Sequence, residues 1–95
     1  NYSTEKKRRL DLTIGISYED SIQQAREVIK SLLDKESRII NEPGPVIAVA
    51  ELADSSVNLT VRMWCDSSDY FTLMWDMLEN IKITFDAEGL NIPCP

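Results

Sequence analysis

Leu10, Leu12, Ile14, Ile16 and Tyr18 alternate with Asp11, Thr13, Gly15 and Ser17, a two-residue period that turns one face of a strand toward a core and the other toward polar surroundings. The pattern then changes period. Ile22, Ala25, Ile29, Leu32 and Leu33 recur at helical spacing, and Asp20 followed by Gln23 has the form of a capping box, so a first helix is predicted over about residues 20–35. Asn41-Glu42-Pro43-Gly44-Pro45 stops it, because proline lacks a backbone donor and holds its own φ.

Residues 46–52 are apolar at positions of both parities and predict a second strand. In the third, Val57, Leu59, Val61, Met63 and Cys65 alternate with Asn58, Thr60, Arg62 and Trp64, and Ala53-Asp54-Ser55-Ser56 supplies the hairpin turn between the two. Asp66 or Ser67 is expected to cap a second helix whose apolar stripe reads Phe71, Met74, Trp75, Leu78, Ile81 and Phe85, with Trp75 in the core. Gly89 is placed to end that helix in the left-handed conformation. Ile92-Pro93-Cys94-Pro95 then reads as extended, since the residue before each proline is pushed out of the helical region.

The order is an α+β arrangement, the split β-α-β-β-α of a ferredoxin-like sandwich with two helices on one sheet face. Its closing strand is open: the extended tail either begins a further strand that the chain cuts short or ends there. A right-handed crossover places the first strand centrally, beside the third. That fold hosts many unrelated functions, so activity has to be argued from particular residues.

Composition narrows the choice. The 95 residues suit one small domain with a modest core. Lys6, Lys7, Arg8 and Arg9 against Glu5 leave +3 over residues 1–9, so residues 10–95 carry −9 of a net −6. An acidic body repels phosphate backbones, and one four-residue basic run is too small a footprint for nucleic acid. The longest apolar run, residues 46–50, falls far short of a membrane-spanning helix, and the two cysteines fit reduced thiols better than a disulfide framework. Because the chain opens at Asn1 rather than Met and stops at Pro95, it is expected to be a piece of a longer protein.

Chemistry is hard to place on this sequence. Histidine, the commonest metal ligand and general base, does not occur. No phosphate-binding glycine loop or nucleophile elbow is present, and Gly15, Gly44 and Gly89 stand alone in turn and strand positions. Asp66 and Asp69 around Ser67 and Ser68 lack the pattern of a calcium loop and read as helix caps. Cys65 lies on the same face as Val61 and Met63, where it acts as a small hydrophobe; a thiol enzyme would need it beside Tyr18, Tyr70 or Lys82. No catalytic, cofactor or metal site is therefore assigned. One residue breaks the pattern: Trp64 stands on the polar face with Asn58 and Arg62, and tryptophan and arginine are enriched at the energetic centres of interfaces. Asn58, Arg62 and Trp64 are accordingly the candidate subunit or domain interface.

Several strings resemble the cytoplasmic α/β domain of the small-conductance mechanosensitive channel family: Asn1-Tyr2-Ser3 with Arg8-Arg9, the strand from Asp11 to Tyr18, Asn58 to Trp64, Tyr70 to Phe85 with Trp75-Asp76, and Gly89 to Pro93. The resemblance implies a basic linker from a preceding β domain over residues 1–9, the α/β domain over 10–92, and the start of a truncated C-terminal segment over 93–95. Where the family places an aromatic between two prolines, this chain has Cys94. It further implies a homoheptamer in the inner membrane, anchored by segments outside this chain, whose α/β domains form a cytoplasmic vestibule passing ions and small solutes on hypo-osmotic shock. No cofactor is implied, and no nucleic acid. The alternative is a stand-alone ferredoxin-like regulatory or ligand-binding domain.

Overall fold

The computed structural model describes residues 6–94. β1 (Lys7–Ile16) leads to α1 (Ile22–Asp34), then to the two-residue β2 (Ile39–Ile40), β3 (Val46–Leu52), β4 (Val57–Asp66) and α2 (Tyr70–Ala87), with a short 3₁₀ turn at Ser67–Asp69 before the last helix. The mixed α/β fold expected from the alternation is the one observed. β1 starts earlier than its apolar alternation, because Lys7, Arg8 and Arg9 pair with Asp66, Cys65 and Trp64.

β4 is the centre of the sheet. It runs antiparallel to β1 along one side and to β3 and then β2 along the other, so β1 and β3 are parallel with β4 between them. That is the split βαβ unit. The first strand is thus an edge of the described sheet and not its centre. The central position expected for it needs a closing strand on its outer side, and no strand follows α2 among the described residues. Just past the end of β1, Ser17 N donates to Asn91 O of the tail at 3.2 Å.

Register sets the core. Leu10 faces Met63, Leu12 faces Val61, Ile14 faces Leu59 and Ile16 faces Val57, and all eight are buried. Both helices cover this face, α1 through Ala25, Ile29 and Leu33 and α2 through Leu73, Met77, Ile81 and Phe85. The core these elements share holds no buried polar or charged residue among the described ones. β3, apolar as it is, lies at the opposite edge with Val46, Val49 and Leu52 exposed, and a bulge at Ala50 shifts its register on β4.

Helix ends differ in part from expectation. Ser21 is the N-cap of α1, its Oγ accepting from Gln24 N at 3.0 Å. Asp20 is engaged elsewhere: its Oδ2 accepts from Asn91 N at 2.7 Å, tying the start of α1 to the tail. Neither Asp66 nor Ser67 caps α2 through its side chain, because the 3₁₀ turn intervenes. At the far end Gly89 has φ +76°, with Gly89 N on Asp86 O and Leu90 N on Phe85 O, and Leu90 closes over the buried Phe85. This is a Schellman stop with its hydrophobic contact.

The face of α2 is the main correction. Trp75 is 60% exposed, and Phe71 and Leu78 are exposed with it, while Leu73 and Met77 take the core positions. Two apolar stripes overlap on this helix, both containing Ile81 and Phe85, and packing selects the one through Leu73. Substituting Met77→Ala should therefore lower the unfolding free energy by about 2–5 kcal/mol, whereas Trp75→Ala should change it by no more than about 0.5 kcal/mol. Urea denaturation of the two variants checks this; equal losses would mean that α2 presents its other stripe to the sheet.

Candidate interface on the open sheet face

Because side chains alternate along a strand, burying the odd positions of β4 sends Asn58, Thr60, Arg62, Trp64 and Asp66 to the face that carries no helix. The even positions are half-buried throughout. Trp64 lies between Arg9 of β1 and Ile40 of β2, Arg62 between Asp11 and Val46, and Thr60 between Thr13 and Ala48. All three residues singled out from the sequence thus share one uncovered surface, with Trp64 and Arg62 as neighbours toward one end and Asn58 at the other.

An ion triad organises the Trp64 end. Arg62 Nε donates to Asp11 Oδ1 at 2.8 Å, and Arg9 Nε donates to Asp11 Oδ2 at 2.9 Å. Both arginines use Nε for this, and no hydrogen bond engages their Nη groups among the described residues. The hydrogen bond from Arg62 does most to hold the Asp11 carboxyl below its ordinary pKa; desolvation opposes it, and the charge and hydrogen bond of Arg9 add to the lowering. At the other end Asn58 Nδ2 donates to Glu51 Oε1 at 2.9 Å and its Oδ1 accepts from Ser56 Oγ at 2.7 Å. Gly15 keeps this corner open, since a Cβ there would stand 3.1 Å from Asn58 Oδ1.

A second cluster was not foreseen from the sequence. Arg38, just before β2, donates from Nε to Glu36 Oε2 at 2.7 Å, from Nη2 to Glu36 Oε1 at 2.9 Å, and from Nη2 to Asp76 Oδ2 of α2 at 3.0 Å. It joins the α1–β2 connection to α2. The hydrogen bonds from Arg38 lower the Glu36 pKa, and in return Glu36 and Asp76 raise that of Arg38. Only the tertiary approach of residues 38 apart creates this site, so no local pattern could have signalled it.

Little else offers chemistry. Among the described residues no group of three or more His, Cys, Asp or Glu side chains is placed to hold a metal ion. A groove of about 370 Å³ between α1 and β3 is lined by Arg26, Lys30, Leu33, Asp34, Pro45 and Ile47, but its cations are already engaged, Arg26 with Ile47 O and Lys30 with Asp34. Cys65 is fully buried, and desolvation, reinforced by Asp69 and Asp66, pushes its thiol pKa up, the opposite of what a nucleophile needs. Among the described residues no helix is long and apolar enough to cross a membrane.

Two outcomes follow from this electrostatics. Asp11 and Glu36 have folded pKa values below their unfolded ones, so their contribution is present at neutral pH and is lost as pH falls through the folded values. Asp11→Asn and Glu36→Gln should therefore be less stable than the parent chain at pH 7, and the gap should close as pH drops below about 4, which denaturation at a series of pH values would read. A gap that widened in acid would contradict the assignment. In a thiol-alkylation time course at neutral pH, exposed Cys94 should react at once and Cys65 only as fast as the protein unfolds.

The geometry can be set beside known proteins. A family model described as "Mechanosensitive ion channel MscS, C-terminal" matches residues 10–92. The chain is 43% identical over 95 residues to an uncharacterized MscS family protein of Synechocystis sp., covering 100% of this chain and 32% of that protein. It is 36% identical over 95 residues to the small-conductance mechanosensitive channel of Edwardsiella ictaluri, covering 100% of this chain and 33% of that one. The crystal structure of Helicobacter pylori MscS in its closed state superposes with a TM-score of 0.86 at 28% identity, over 93% of this chain and 35% of that one. The chain thus spans about a third of the length of the relatives it matches. With sequence and fold in agreement over nearly its whole length, this chain belongs to the MscS family of mechanosensitive channels and corresponds to their C-terminal domain.

Proposed function

We propose that this domain forms part of the cytoplasmic vestibule of a homo-oligomeric mechanosensitive channel, a heptamer in the inner membrane that releases ions and small solutes on hypo-osmotic shock. The observation that carries the reading is the match of residues 10–92 to the C-terminal domain of the family, together with the fold shared with a solved channel in its closed state. Residues 1–9 would lead in from a preceding β domain, and 93–95 would lead on to a C-terminal segment. The pore would lie in parts of the parent protein outside this chain. No catalytic step is assigned to the domain.

In this reading the open sheet face is a contact surface between subunits or domains, with Trp64 and Arg62 toward one end of it and Asn58 at the other. An aromatic side chain, half-buried on a face with no helix over it and flanked by two guanidinium groups, supports that role. The net −9 of residues 10–95, where it lines the vestibule, would enrich cations within a Debye length of about 8 Å at physiological salt.

The parent gene, expressed in channel-deficient bacteria, should restore survival of osmotic downshock and give tension-activated currents in patches of the same membranes. Trp64→Ala should reduce both by weakening assembly. Full-length protein present in the membrane with neither rescue nor current would remove the channel reading.

A further inference from the structure

The chain enters and leaves this domain at opposite ends of β1. At the entry, Lys6 O accepts from Ser67 N at 2.8 Å, Lys7 Nζ donates to Glu42 O at 3.2 Å, and Arg8 Cζ stands 3.6 Å from the Tyr70 ring centroid. The start of the strand is thus fastened to the loop before β3 and to the start of α2. At the exit, Ser17 N donates to Asn91 O at 3.2 Å, and Asp20 accepts from Asn91 N at 2.7 Å and from Asn91 Nδ2 at 3.3 Å. Ten strand residues separate the two points, about 33 Å at the rise of a strand. The 18 residues of α2 run back over a similar span, about 27 Å at helical rise, from the entry end to the exit end.

From this placement we infer that the domain is a tension-bearing strut: a pull between residue 6 and residue 92 runs along β1 and loads its pairing with β4 in shear. The inference rests on the reading above, in which the parent protein continues beyond both ends of the domain. Hydrogen bonds of an antiparallel ladder lie perpendicular to the strands. A pull along the strand therefore strains all of them together, whereas a pull across them at one end breaks them in turn. All ten pairs, from Lys7–Asp66 to Ile16–Val57, stand between the two ends. The buried rows must slide as well, since Leu10, Leu12, Ile14 and Ile16 face Met63, Val61, Leu59 and Val57 within the core.

The two fastenings keep the load on the ladder. β1 has β4 on one side only, so it would peel readily if its Lys7 end swung outward. Lys7 and Arg8 oppose that swing from opposite faces of the strand, and Lys6 O extends the bonding to Ser67. At the other end, a pull on the tail meets Ser17 and Asp20 before it reaches the last turn of α2, which Leu90 N closes on Phe85 O at 2.9 Å.

Single-molecule pulling in two directions tests this. In the chain with Cys94→Ser and the buried Cys65 kept, handles are attached through Lys6→Cys and Ile92→Cys for the lengthwise pull, and through Lys6→Cys and Ser67→Cys for a pull across one end. At the same pulling speed the lengthwise rupture force should be several-fold the other, because the second geometry opens Lys7–Asp66 first and unzips the ladder. Asp20→Ala should lower the lengthwise force and leave the other unchanged, a difference that a loss of overall stability would not give. Equal forces in the two directions would overturn the proposal, as would an Asp20→Ala variant of full lengthwise strength or a chain that yields in both directions without a rupture event. Downshock rescue by the parent gene judges the channel reading separately, so the two can fail independently.

Discussion

β4 is hydrogen-bonded to neighbours on both sides, and Val57, Leu59, Val61, Met63 and Cys65 are buried along it. Strand geometry turns that burial into a second constraint, because every residue between them must point the other way. A slip of β4 by one position would drive Arg62 into the core and expose its aliphatic row, at a cost of several kcal/mol for a charge left unpaired there. The register that makes the core therefore also builds the Arg9–Asp11–Arg62 triad and places Trp64 beside it.

The triad contributes little to holding the fold together. Its side chains are well exposed, and ion pairs in that setting are worth about 0–1 kcal/mol. Stability resides in the dry layer between sheet and helices. The Arg38 cluster is more enclosed and acts as a clasp, holding the connection between α1 and β2 to the side of α2. What the triad does is fix the positions of Arg9, Asp11 and Arg62 relative to one another on a face with no helix over it.

Helices on one side only leave the domain with two uncovered regions of unlike character, the sheet face and the flank of α2. The chain spans about a third of the length of the relatives it matches, and among the described residues nothing covers either region. The Cys65 thiol, by contrast, is sealed under the sheet with its proton held on, consistent with a filling role.

The period-two runs of β1 and β4, the Pro-Gly-Pro break and the Gly89 stop were legible in the residue pattern, because each depends on backbone rules that act within a few residues. The placement of Trp64 opposite the core followed from the same alternation. The rotation of α2 did not. Its two apolar stripes share Ile81 and Phe85, so local spacing weighs them equally. The choice falls to the contacts that aim the helix: Ser67 N on Lys6 O, Arg8 over Tyr70, and Leu90 against Phe85. The edge position of β1, the Asp20–Asn91 tie and the Arg38 clasp were hidden for the same reason. Each joins residues far apart in the chain, and their meeting is set by strand register and helix packing, which periodicity does not encode.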